Sequence, residues 1–145
     1  MFAKPWMVLL SGVLFTGMSL ADAGSDRAMR RALVGSWVMP PDTSDPVNIP
    51  SRQVFKGDGT TQLFIYTSPE CRVPAAAIEG RWWIENGVLS TQITGTSDPQ
   101  LVPVGEVQRV VIVTVEDHKI VFHADDQTYV REKSDTCFPP GAHRT

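Results

Sequence analysis

The chain has 145 residues, 42% of them hydrophobic, with a formal net charge of −3 and two cysteines. Those values suit one globular domain, and nothing in the sequence supplies the basic patch that binding to nucleic acid requires. Lys4, an apolar run from Met7 to Leu20 and then Ala21-Asp22-Ala23 have the three-part layout of a secretory signal peptide over residues 1–23, cleaved after Ala23. The run falls short of the roughly 20 apolar residues of a membrane span. The expectation is therefore a mature domain, residues 24–145, that is periplasmic or secreted and has no transmembrane anchor after cleavage. In an exported chain, Cys71 and Cys137 point to one disulfide, whose long loop would contribute roughly 4 kcal/mol by restricting the unfolded chain.

Ser25 to Leu33 begins with a capping residue and spaces Met29 and Leu33 four apart. This predicts a short amphipathic helix lying as a lid on the core, with Arg27, Arg30 and Arg31 toward water. Leu33 to Met39 reads as a first strand, stopped by Pro40-Pro41. Pro40 to Pro50 holds four prolines and reads as a long loop. Arg52 to Lys56 and Thr60 to Thr67 read as the second and third strands around Gly57-Asp58-Gly59. A loop from Ser68 to Pro74 carries Cys71. The clearest local signal follows: two alternating runs between Glu79 and Thr94 meet at Asn86-Gly87, a pair suited to a two-residue hairpin turn. Gly80, Trp82, Ile84, Leu89, Thr91 and Ile93 share its dry face; Arg81, Trp83, Glu85, Ser90 and Gln92 share the wet one. After a third loop, Gly95 to Pro103, come strands at Glu106–Val115, Lys119–Ala124 and Gln127–Lys133.

Eight strands in a meander predict an all-β, antiparallel, up-and-down barrel, because closure removes the exposed edges of an open sheet. Alternate connections of a meander fall at the same end, so three tight turns gather at one end and three long loops at the other. The long-loop end is the expected mouth. The last strand then finishes at the tight-turn end, and a Cys71–Cys137 bond requires the tail to double back by about 20 Å along the wall.

Four short stretches carry a resemblance: Gly35-Ser36-Trp37, Phe55-Lys56-Gly57-Asp58-Gly59-Thr60, Gly80-Arg81-Trp82 and Tyr129-Val130-Arg131. On these the chain resembles the small bacterial lipocalin-like proteins of the wider calycin barrels, and it is similar in plan to exported metalloprotease-inhibitor barrels. The resemblance implies structural roles for Gly35 and Arg131. Trp37 would pack at the closed end with the Arg131 cation over its indole face.

No catalytic arrangement stands out. His118 and His123 are an odd number of residues apart and point to opposite faces if on one strand, so they do not share a metal. Ser36 lacks the second glycine and following helix of a nucleophile elbow. The carboxylates Asp58, Glu85, Glu116, Asp117, Asp125 and Asp126 sit at turns, with no pocket to shift their pKa values. The expectation is thus a binding protein that is not an enzyme and uses no cofactor or metal. Its interior candidates are Trp37, Phe55, Phe64, Tyr66, Trp82, Ile84, Leu89, Ile93, Phe122 and Tyr129. A small apolar or amphipathic ligand entering at the long-loop end is the first reading. The alternative is a protein-binding module, an inhibitor of an exported enzyme or an immunity protein, with a filled interior and a binding epitope on the helix, the loops or around Trp83, beside which Val110 to Val113 supplies an apolar stripe.

Overall fold

The computed structural model describes residues 25–39, 50–67 and 71–135. Eight strands follow one short helix, α1, residues 25–33. They are β1 (Gly35–Val38), β2 (Ser51–Phe55), β3 (Thr60–Tyr66), β4 (Pro74–Glu85), β5 (Val88–Thr96), β6 (Val107–Val115), β7 (Lys119–Ala124) and β8 (Gln127–Lys133). Each pairs antiparallel with the next, and β1 pairs with β8 through Trp37↔Lys133 and Val38↔Glu132. The chain is therefore the closed eight-stranded antiparallel barrel that its strand pattern predicts. Among the described residues, no helix is long and apolar enough to cross a membrane.

Several strand ends shift by one or two residues from expectation, and two boundary differences have a physical reason. Leu33 completes α1 instead of opening β1, because its side chain is fully buried beneath the helix. The fourth strand starts at Pro74, not Glu79. Ala75-Ala76-Ala77 has little intrinsic strand preference, but its pairing with β3, Ile65↔Ala76, Phe64↔Ala77 and Leu63↔Ile78, holds it extended.

The turns follow from residue chemistry. Asn86 and Gly87 have φ of 52° and 74°, the left-handed pair of a tight hairpin, and Asp125 and Asp126 do the same at 49° and 62°. At the β2–β3 turn, Asp58 Oδ1 accepts hydrogen bonds from the Thr60 N–H (2.9 Å) and hydroxyl (2.7 Å), which hold its carboxyl below the usual carboxylate range.

The β2–β3, β4–β5 and β6–β7 turns share one end of the barrel, and α1 closes it. Leu33 and Met29 face the core. The Asp26 carboxylate accepts the backbone N–H groups of Asn86 (2.7 Å) and Gly87 (2.8 Å), tying the start of the helix to the β4–β5 turn. At the other end of α1, the Trp37 indole N–H donates to the Leu33 carbonyl (2.7 Å), satisfying an acceptor that the last helical turn leaves without an internal partner. Arg30 does not face water as expected: its guanidinium lies 4.4 Å from the Trp82 ring centroid and donates to the Gly57 carbonyl. The lid expected from helical spacing is thus fastened by charge-assisted contacts as well as apolar ones. Asp26→Ala is expected to lower stability by about 1–3 kcal/mol, since it removes two hydrogen bonds to a charged acceptor. A urea melt measures the loss, and an unchanged midpoint would show that the clamp contributes nothing.

Candidate functional site

Inward side chains fill the barrel unevenly. Leu33, Trp37, Phe55, Trp82, Leu89, Ile112 and Ile120 form a continuous core behind α1. Within it, Phe55 and Trp82 meet edge to face at 5.2 Å, and the Trp82 indole N–H donates to the Lys56 carbonyl (3.0 Å). Beyond this plug the side chains leave a cavity of about 130 Å³. Leu33, Phe55, Leu89 and Ile120 belong to both the plug and the cavity lining, and Leu63, Ile78, Ile93, Val110 and Phe122 supply further apolar wall. Gln53, Thr61, Thr91, Gln108 and Arg131 add polar groups. Gln53 and Thr61 are tied to each other and to the wall: Gln53 Nε2 donates to Thr61 Oγ1 (3.3 Å), and Thr61 Oγ1 donates to the Val54 carbonyl (2.8 Å).

A groove of about 470 Å³ adjoins the cavity at the loop-rich end, where Glu106, Val107, Asp125 and Tyr129 help to line it. Gln108, Val110 and Phe122 line both spaces. The Phe122 ring stacks on Tyr129 at a centroid distance of 5.9 Å, so this aromatic pair stands where cavity and groove meet. The Tyr129 hydroxyl donates to Gln127 Oε1 (2.8 Å).

One backbone position shapes the wall. The β4–β5 register shifts between Glu79 and Gly80, and a Cβ on Gly80 would lie 2.6 Å from the Gln92 carbonyl oxygen. Only glycine fits that approach. Gly80→Ala is expected to cost roughly 1–3 kcal/mol through overpacking; a chemical-denaturation midpoint equal to that of the parent would refute the clash.

The expected interior residues separate into groups. Phe55, Leu89, Ile93 and Phe122 line the cavity. Trp37 and Trp82 are buried in the plug, with Ile84 packed against it. Tyr129 faces the groove, while Tyr66 is buried without lining the cavity. Phe64 is on the outside. Its neighbour Leu63 lines the cavity, alternation turns Phe64 outward, and Arg52, its cross-strand partner, covers the ring at 5.0 Å.

The cation assigned to the Trp37 indole is also different. Lys133, directly opposite Trp37 in the β1–β8 register, places its ammonium 5.6 Å from the ring. Arg131 instead reaches Ser51 Oγ (3.3 Å) and lies 5.9 Å from the Phe122 ring. Burial pushes its pKa down to about 10. Gly35, at φ 139°, approaches Lys133, whose Cε would lie 3.1 Å from an added Cβ.

Trp83 is half-buried on the outer face, and Val111 and Val113 are 49% and 54% exposed. His123 Nδ1 sits 3.4 Å from the Thr128 hydroxyl. Among the described residues no group of three or more His, Cys, Asp or Glu is placed to hold a metal. No cysteine among them is free, and Cys137 lies outside the described residues.

Comparison with solved structures finds the same architecture. A lipocalin-like protein from Bacteroides uniformis superposes with a TM-score of 0.53 at 11% identity, covering 71% of this chain and 99% of that one. An uncharacterized protein from Bacteroides eggerthii superposes with a TM-score of 0.50 at 12% identity, over 70% and 99% of the two chains. No protein-family model and no curated protein matches the chain. At these identities the likeness is one of fold, and the fold is the small lipocalin-like barrel.

Proposed function

We propose that the protein is an exported, non-catalytic carrier whose barrel holds one small apolar or amphipathic ligand and admits it at the loop-rich end. The observation that carries this reading is the cavity of about 130 Å³ beyond the aromatic plug. Small barrels either fill their interior with side chains or hold a ligand there, and this one leaves a mostly apolar space on one side of a filled half. The opposite end is blocked by α1, which leaves the groove beside Phe122 and Tyr129 as the approach. Export rests on the signal-peptide pattern of residues 1–23, which lie outside the described residues. A Cys71–Cys137 disulfide belongs to the same reading; the count of two cysteines and the engaged state of Cys71 support it.

Native mass spectrometry of the protein, released gently from the periplasm without detergent, tests the proposal. A bound small mass that is lost on unfolding, on a chain two hydrogens light, is the expected result. A bare mass that takes up no added apolar compound would favour the protein-binding alternative, with the outer face around Trp83, Val111 and Val113 as its surface.

A further inference from the structure

The cavity wall contains one charged side chain. Arg131 is 8% exposed, and among the described residues its guanidinium has a single hydrogen-bond partner, Ser51 Oγ at 3.3 Å, and one ring contact, Phe122. No Asp or Glu lines the cavity. A guanidinium carries five N–H donors in a planar fork, so most of these have no acceptor among the described residues, and they are not sealed off inside the wall that the cavity borders. It still carries its charge at neutral pH, because burial lowers its pKa only to about 10. A neutral side chain of similar length would fill the position without the cost of desolvating a cation. The arrangement makes chemical sense if the counter-charge arrives with the ligand.

We propose that Arg131 is the recognition group of the cavity and that its ligand is a small organic carboxylate, held by a forked pair of charge-assisted hydrogen bonds. The proposal rests on the carrier reading above and gives it a substrate class. A carboxylate matches the fork geometry bidentately, while the surrounding Leu63, Ile78, Ile93 and Val110 offer apolar contact that an inorganic anion would not use. Size narrows the class further. A cavity of about 150 Å³ accepts benzene, so the slightly smaller space here suits an apolar body of about four to six carbons.

Isothermal titration calorimetry on the purified protein tests this with pentanoate, pentan-1-ol and sodium chloride as probes. Pentanoate is expected to bind at least tenfold more tightly than pentan-1-ol. Arg131→Met is expected to abolish that preference while still accepting the alcohol, and Arg131→Lys to retain part of it. Equal affinity for acid and alcohol in the parent protein would overturn the role of Arg131 and leave the carrier reading standing. Chloride binding as tightly as pentanoate and displacing it would mark an inorganic-anion site and overturn the carboxylate assignment. Failure of both acid and alcohol to bind a cooperatively folded protein would remove both readings. Should Arg131→Met not fold, the acid-to-alcohol ratio of the parent and of Arg131→Lys decides the matter.

Discussion

Trp82→Ala is expected to destabilise the barrel by about 3–5 kcal/mol, whereas Trp83→Ala, one residue along the same strand, should cost about 1 kcal/mol or less. Trp82 is 2% exposed and joins three parts of the closed end: Phe55 meets its ring edge, Arg30 of α1 covers its face, and the Lys56 carbonyl accepts its N–H. Truncation would open a void in the plug and leave a carbonyl and a guanidinium without their contact. Trp83 points the other way and rests half-buried on the outer face. Urea melts of the two variants measure the difference. Equal losses would mean that the two faces of β4 are assigned wrongly.

The second large effect is a gain. Arg131→Met should raise stability at neutral pH by about 1–3 kcal/mol, because it removes a desolvated cation that has no carboxylate partner among the described residues. The pH dependence has a definite sign. Burial lowers the Arg131 pKa from the ordinary arginine value to about 10. Between those values the unfolded chain holds the proton more firmly than the folded one, so this group's contribution to stability rises with pH across that window. Below about 10 its penalty is complete and constant. The stability gap between variant and parent should therefore be flat from neutral pH to about 9 and narrow above 10, with other titrating groups cancelling in the difference. Denaturant midpoints of both proteins at several pH values give the curve. A variant less stable than the parent at neutral pH would show that the Ser51 and Phe122 contacts outweigh the desolvation cost.

Much of the barrel is written in local pattern. Asn86-Gly87 specifies its turn, and the alternation on either side gives the correct inward set of Trp82, Ile84, Leu89, Thr91 and Ile93, because polar and apolar residues separate cleanly there. The third strand lacks that contrast. Leu63-Phe64-Ile65-Tyr66 is apolar at every position, so its phase comes from pairing with β2, which an isolated segment does not encode, and Phe64 falls on the outside. The polar cavity residues Gln53, Thr61, Thr91 and Gln108 escape a search for inward aromatics and aliphatics. Arg131 was legible as an important last-strand residue but not in its partner. Which β8 cation meets Trp37 depends on the β1–β8 register, fixed only when the ring closes, and that register selects Lys133. For the same reason Arg30 reads as solvent-facing until the direction in which α1 crosses the barrel end is known.

The brevity of the β1–β8 seam sets an order of events in time. Hairpins such as β4–β5 form between neighbours in sequence and can be complete while the rest of the chain is still extended. β1 joins β8 over two residue pairs drawn from opposite ends of the described chain, so its loop-closure cost comes last and is met by few contacts. The N-terminal strand must therefore wait, one edge unpaired, until the final strand exists. The same short seam is the place where backbone amides should exchange earliest in the folded protein, making it the natural line along which the barrel breathes.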